Sequence, residues 1–137
     1  MTIAAGVVGR SAHADVEAFY RAQLGRDVPL EPDQEVLVAR DGGEIVGALR
    51  LCPEGGTLLL RTVVVADGRR GQGIGRQLLC GADRAIGARE CWCFPWSHLE
   101  RFYGAIGFVR VPDDTIPAAI RHRYGADCIA TFRAASP

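Results

Sequence analysis

The chain has 137 residues, 48% of them hydrophobic and 23% charged, which fits one globular domain over 1–137 and excludes a disordered or two-domain chain. Sixteen basic residues balance sixteen acidic ones, so no net basic field draws in nucleic acid. No stretch approaches the ~18–20 consecutive apolar residues of a membrane span.

A helix is expected over 11–24, where Ser11 can cap the start, Asp15 and Glu17 suit the positive end, and Val16, Phe19, Tyr20 and Leu24 share a face. Gly25 stops it. Residues 35–40 read as a strand, Asp41-Gly42-Gly43 as a hairpin turn and 44–51 as the returning strand. Pro53-Glu54-Gly55-Gly56 turns the chain again, into a third strand over 57–66. That run, with Leu58-Leu59-Leu60 and Val63-Val64-Val65, is apolar on both faces and belongs in the middle of a sheet. Residues 73–86 follow as a helix, with Ile74, Leu78, Ala82 and Ala85 at helical spacing and Gly87 after it. Cys91-Trp92-Cys93-Phe94 reads as a short buried strand. Ser97-His98-Leu99-Glu100 has the form of a capping box that opens a helix with Leu99, Phe102, Tyr103 and Ile106 in one stripe, ended by Gly107. Residues 108–111 suggest a strand, 116–124 a short helix and 128–132 a last strand. A hairpin feeding alternating strands and helices makes an α+β (α/β-like) sheet.

The five cysteines fall at irregular spacing, and the start of the chain lacks the basic leader of an export signal. Both point to reduced thiols in a cytoplasmic protein. Cys91-Trp92-Cys93 is not a Cys-x-x-Cys pair and no second pair stands at zinc spacing, so no metal site is expected.

The segment richest in chemistry is Asp67-Gly68-Arg69-Arg70-Gly71-Gln72-Gly73-Ile74-Gly75-Arg76, between a buried strand and a helix. Glycines let backbone N–H groups approach a ligand, a helix start adds positive potential, and Arg69, Arg70 and Arg76 add full charges. Together these describe an anion cradle, most naturally for phosphate. The plainer alternative is a flexible turn beside a solvated charge cluster. The lysine of a P-loop is absent, and the alternating Gly71, Gly73 and Gly75 do not fit the Gly-x-Gly-x-x-Gly of a dinucleotide site.

Arg70-Gly71-Gln72-Gly73-Ile74-Gly75 resembles the Arg/Gln-x-x-Gly-x-Gly/Ala signature of the GNAT superfamily of acyl-CoA N-acyltransferases, and Phe102-Tyr103-Gly104-Ala105-Ile106-Gly107-Phe108 resembles its second signature. The resemblance runs over about 35–111. It implies a GNAT-type fold, a mixed sheet of about six to seven strands flanked by helices. It further implies an N-acetyltransferase that moves acetyl from acetyl-CoA directly to a primary amine on a small molecule or a protein. The balanced charge and the lack of a long apolar run point to no nucleic acid and no membrane as partner. A homodimer is among the assemblies the resemblance implies. On this resemblance the cofactor-binding residues are Val63, Val64 and Val65, pairing with the pantetheine arm, and Arg70, Gly71, Gln72, Gly73, Ile74, Gly75 and Arg76, holding the pyrophosphate. The strand 91–94 is then expected to splay from 63–65, with a backbone N–H near Val65 as oxyanion donor.

Tyr103 stands where the family places the acid that protonates the leaving thiolate. Spacing alone favours a core or rim tyrosine on an apolar stripe, and the family position reverses that preference. The position seven before it, where many relatives carry Asn, is Trp96, and the region before residue 35 has room for little more than one helix. Both departures fall where amine acceptors are selected. Candidate bases are His98, Glu35 and Glu100, the last better explained by the capping box. Cys91 and Cys93 are candidate nucleophiles whose plainer role is packing. Arg121-His122-Arg123 is either a solvated face or a hold for an acidic substrate group. The competing function is a non-catalytic acyl-CoA-binding or sensing module, and a toxin-like acyltransferase acting on aminoacyl-tRNA is disfavoured by the absent positive charge.

Overall fold

The computed structural model describes residues 3–136. Seven strands form one mixed sheet in the order β1-β2-β3-β4-β5-β7-β6. They are β1 (Ile3–Val8), β2 (Glu35–Asp41), β3 (Glu44–Glu54), β4 (Thr57–Val65), β5 (Cys91–Cys93), β6 (Val109–Arg110) and β7 (Thr131–Arg133). The helices are α1 (His13–Leu24), α2 (Ile74–Ile86) and α3 (Glu100–Gly104). Strands β1 to β4 make an antiparallel meander, β5 joins β4 in parallel, and β7 and β6 complete the sheet antiparallel. The doubly apolar β4 is the fourth of seven, in the middle as its composition requires.

The two faces of the sheet are covered by different helices. On one, Ile74, Leu78, Leu79, Ala82 and Ile86 of α2 pack on Leu37, Leu49, Leu51 and Leu60. Gly47 permits this close approach, because a Cβ there would come within 2.9 Å of both Ile74 Cγ2 and Leu78 Cδ1. On the other, Val16, Phe19 and Tyr20 of α1 pack on Val36, Val38 and Ala48. Each large side chain so covered contributes about 1.5–3 kcal/mol.

Several expected details differ. Residues 3–8 form an edge strand that local pattern did not announce. Ser11 lies in a 3₁₀ turn (Arg10–Ala12), and α1 starts at His13 without a side-chain cap. Pro53 still pairs with Leu58, so only Gly55 and Gly56, both at positive φ, make the turn into β4. The capping box at Ser97 does not form. Residues Ser97–Leu99 are 3₁₀, and the Glu100 carboxylate lies 3.9 Å from Arg110 instead of on the Ser97 backbone. In place of one helix over 116–124 there are 3₁₀ turns at Asp113–Thr115 and Ala118–Arg123. The last strand is confined to Thr131–Arg133, with Cys128 bridging to Trp96 ahead of it.

One irregularity matters more than the rest. Ala48 faces Val64 while Arg50 faces Arg61, so Thr62 and Val63 together stand opposite Leu49. This is a β-bulge, which bends a strand and sharpens its twist. Thr62 sits there at φ 58°, a left-handed conformation that is a genuine outlier for a β-branched residue. Two bonds of 2.8 Å hold it, one from the Tyr20 hydroxyl to the Thr62 carbonyl and one from Arg50 Nε to Thr62 Oγ1.

Candidate active site

Parallel pairing between β4 and β5 covers Leu59 with Trp92 and Leu60 with Cys93, and then stops where the bulge begins. Val64 and Val65 remain paired with β3 on their other side. The sheet therefore opens between β4 and β5, as the sequence implied. The opening leads into a cleft of about 650 Å³, walled by Val63, Val64 and Val65, by the glycine loop, and by Trp96, His98, Leu99, Phe102 and Tyr103.

Gly71, Gly73, Ile74, Gly75, Arg70 and Arg76 all line this cleft, and Gln72 does not. Gly71 and Gly73 take φ of 81° and 78°, and a Cβ built on either meets nothing within 4 Å. Backbone rather than side chain thus faces the open space at the N-terminus of the 13-residue α2, where helix N–H groups and the helix dipole favour an anion. Gly75 has a different role, since a Cβ there would approach Phe102 Cζ at 3.1 Å. The arginines also divide. Arg69 is braced to Asp41 at 2.7 Å and to Gln72 at 3.3 Å, fixing the loop to the β2–β3 hairpin. Arg70 is exposed and only 4.0 Å from Asp67, and Arg76 is exposed at the cleft.

Tyr103 is buried, yet it lines the cleft. Its ring meets Phe102 edge-on at 5.1 Å and Phe108 at 6.4 Å. Burial, with the neighbouring Cys93 adding to it, pushes the phenol well above its ordinary range, so it stays protonated. Tyr103 and Val63 line the main cleft and also a second cavity of about 260 Å³. That cavity is bounded by Arg26, Arg61, Thr62, Phe94, Pro95 and Arg123. Sequence reasoning passed over Tyr20, Thr62 and Arg61. The available signal was Arg61-Thr62 interrupting an otherwise apolar central strand.

The remaining candidates separate clearly. His98 is exposed at the cleft and stacks on Trp96 at 5.8 Å. Glu35 is paired with Arg89 at 2.8 Å, and neither it nor Glu100 lines either cavity. Burial pushes the Cys91 thiol up to about 12 and the Cys93 thiol well above its ordinary value. Neither is a nucleophile at neutral pH. Arg121 donates to the Ile116 carbonyl, His122 approaches Glu54 at 3.4 Å, and Arg123 alone of the three reaches a cavity. Among the described residues no three His, Cys, Asp or Glu gather as metal ligands, and no helix is long and apolar enough to cross a membrane.

Comparison with known proteins bears on the same segments. No curated protein matches the chain by sequence. Solved structures match by fold. An acetyltransferase from Corynebacterium glutamicum described as histone acetyltransferase HPA2 and related acetyltransferase superposes with a TM-score of 0.74 at 17% identity, covering 100% of this chain and 98% of that one. An acyl-CoA N-acyltransferase from Pseudomonas aeruginosa gives 0.68 at 22% identity, covering 97% and 99%. N-acetylglutamate synthase from Neisseria gonorrhoeae, solved with coenzyme A and L-arginine, gives 0.70 at 16% identity, covering 98% of this chain and 34% of that one. The family model for the acetyltransferase (GNAT) domain matches residues 32–110, which takes in β2 through α3 and with them both walls of the cleft. On that match, over more than half its length, the chain belongs to the GNAT acetyltransferase family.

Proposed function

We propose that this protein is an N-acetyltransferase that moves an acetyl group from acetyl-CoA directly to a primary amine. The observation that carries the reading is that two cavities beside the β4–β5 opening share Val63 and Tyr103 in their walls. A donor in one and an acceptor in the other would meet at those residues.

The larger cleft fits an acyl-CoA. The open backbone at Gly71 and Gly73, the start of α2 and the exposed Arg70 and Arg76 suit a pyrophosphate. Val63 to Val65 offer main chain on the β5 side, and the amide-rich pantetheine arm adds to such an edge as a strand would. The backbone N–H near Val65 is the oxyanion donor of this reading. Acetyl-CoA supplies an activated acyl group and a thiol leaving group. The chain's part is to hold the carbonyl beside Tyr103 and to supply a proton from its hydroxyl to the departing sulfur. A phenol is protonated at neutral pH and so has a proton to give.

The acceptor must arrive neutral. An alkylamine of pKa near 10.4 is neutral in only about one part in 2,500 at pH 7, a deficit of about 4.6 kcal/mol. Among the described residues no carboxylate lines the second cavity, while Arg26, Arg61 and Arg123 do. Arg123 is ion-paired with Glu54, and the charge of Arg26 and Arg61 disfavours an ammonium and favours the neutral amine. The free thiols of the chain accord with a cytoplasmic setting.

Release of free CoA thiol, measured with acetyl-CoA and a broad panel of primary amines, tests the reading. Acylation of at least one amine is expected. A folded protein that binds CoA and acylates none of them would be a sensing module instead.

A further inference from the structure

The second cavity holds positive charge that the protein itself does not balance. Arg50 and Arg61 are direct partners in the β3–β4 ladder, so their side chains share a face. Like charges placed this way repel, and Arg50 is only 6% exposed. Neither forms an ion pair among the described residues. Arg50 donates to the Thr62 hydroxyl, and Arg61 acts on the neighbouring Cys52 thiol. The carboxylate that acts on Arg61 is Glu54, but Glu54 is already committed. Arg123 grips both its oxygens at 3.0–3.1 Å, and His122 stands 3.4 Å from it. Burial together with the charges of Arg50 and Arg123 holds the Arg61 guanidinium below its ordinary value. Arg26 adds a third cationic group to the cavity wall, also without an ion pair among the described residues.

Partly buried charge without a counter-ion is costly, and a bound anion would relieve that cost. Arg61 lines the same cavity as Tyr103, at the mouth of the sheet opening. We infer that the acceptor is a small amine that also carries an oxyanion, a carboxylate or a phosphate, which binds Arg61 with Arg26 and Arg123 around it. A guanidinium binds either oxyanion through paired N–H donors. At about 260 Å³ the cavity lies below the usual range for drug-sized ligands, which favours a compact metabolite. With the oxyanion on Arg61, the amine end points back towards Val63 and Tyr103. This inference deepens the acyl-transfer reading and rests on it.

The test compares matched amines with acetyl-CoA: glycine, β-alanine and L-glutamate against their carboxamides, with 2-aminoethyl phosphate as the phosphate arm. The acid or phosphate member should exceed its neutral counterpart in kcat/KM by about 10- to 100-fold, the worth of a charged hydrogen-bonded contact. Arg61→Gln should collapse that ratio towards one, mainly through KM. Which arm leads identifies the oxyanion. Neutral amides that turn over as well as the acids overturn the inference and leave acyl transfer standing. A measurement without turnover separates the two ideas. Calorimetric titration of N-acetylglycine, N-acetyl-β-alanine, N-acetyl-L-glutamate and N-acetyl-2-aminoethyl phosphate into the CoA-bound protein should show binding that Arg61→Gln abolishes. Arg61-dependent binding in a protein that acylates nothing would support the anion site and reject the transferase. Absence of oxyanion binding in the parent would reject the anion site.

Discussion

The Tyr20 hydroxyl donates a 2.8 Å hydrogen bond to the Thr62 carbonyl, 42 residues away in sequence. The bond ties α1 to the bulge at which β4 parts from β5. Thr62 is held in a conformation it would not choose, and strain of this kind, about 1–3 kcal/mol, persists only where surrounding contacts over-determine it. Tyr20 is fully buried, and the contact it makes is part-buried.

Tyr20→Phe should accordingly cost about 1–3 kcal/mol, because it leaves a partly buried carbonyl without its donor. Urea unfolding of parent and variant measures this. A change below about 0.5 kcal/mol would mean that α1 does not hold the bulge.

Gly73→Glu tests the glycine loop. A side chain at φ 78° is strained, so a stability loss of about 1–2 kcal/mol is expected. The carboxylate would also project into the space assigned to pyrophosphate and repel it. Gly73→Ala carries the strain without the charge. Thermal-shift titration with CoA should show binding lost in the glutamate variant and weakened less in the alanine one. Equal binding in parent and glutamate variant would locate the phosphate site elsewhere.

Tyr103→Phe keeps the ring contacts with Phe102 and Phe108 and removes only the hydroxyl. Stability and CoA affinity should change little. The single-turnover rate of acyl transfer should fall by roughly 10²–10⁴, about 3–5 kcal/mol of barrier. Unchanged single turnover would clear the tyrosine of any acid role.

The buried thiols predict an alkaline limit. Cys91 titrates from 9.0 ordinarily up to about 12 in the fold. The unfolded chain therefore loses this proton first as pH rises. The contribution is complete below pH 9 and disappears between about 9 and 12, reaching at most about 4 kcal/mol for this one thiol. Cys93, Tyr20 and Tyr103 shift in the same direction and act in the same sense. Unfolding free energies of the parent should stay flat near neutrality and drop above pH 9, with a shallower drop in Cys91→Ala. Cys91→Ala should also retain acyl transfer, since a thiol so held does not attack a thioester. Parallel pH profiles in the two proteins would contradict the assignment.

The parts of this architecture that are local in sequence were legible there. The apolar run of β4, the loop from Gly68 to Gly75 and the helical spacing of Ile74, Leu78 and Ala82 each declare themselves within ten or fifteen residues. Strand β1 does not, because its residues gain a partner only by pairing with β2, far along the chain, as Ile3 with Asp41 and Val8 with Val36. The bulge at Thr62 was hidden for a related reason. It arises from a register slip against β3 and is stabilised from α1, and neither contact leaves a pattern in β4 itself. The motif Ser97-His98-Leu99-Glu100 misled in the opposite way, matching a helix start while the backbone chose a 3₁₀ turn and Glu100 faced Arg110. The cationic cavity draws Arg26, Arg61 and Arg123 from three distant segments, so only folding brings it into view.

The central claim is that the cleft between β4, the glycine loop and α3 binds an acyl-CoA, and equilibrium stabilisation by ligand tests it most directly. A ligand that binds only the folded state adds RT ln(1 + [L]/Kd), about 2.7 kcal/mol at one hundred times Kd. Acetyl-CoA and CoA should raise the melting temperature of the parent accordingly, with ATP, NAD and divalent cations having much smaller effects. Stabilisation by ATP or NAD without stabilisation by CoA would contradict the account.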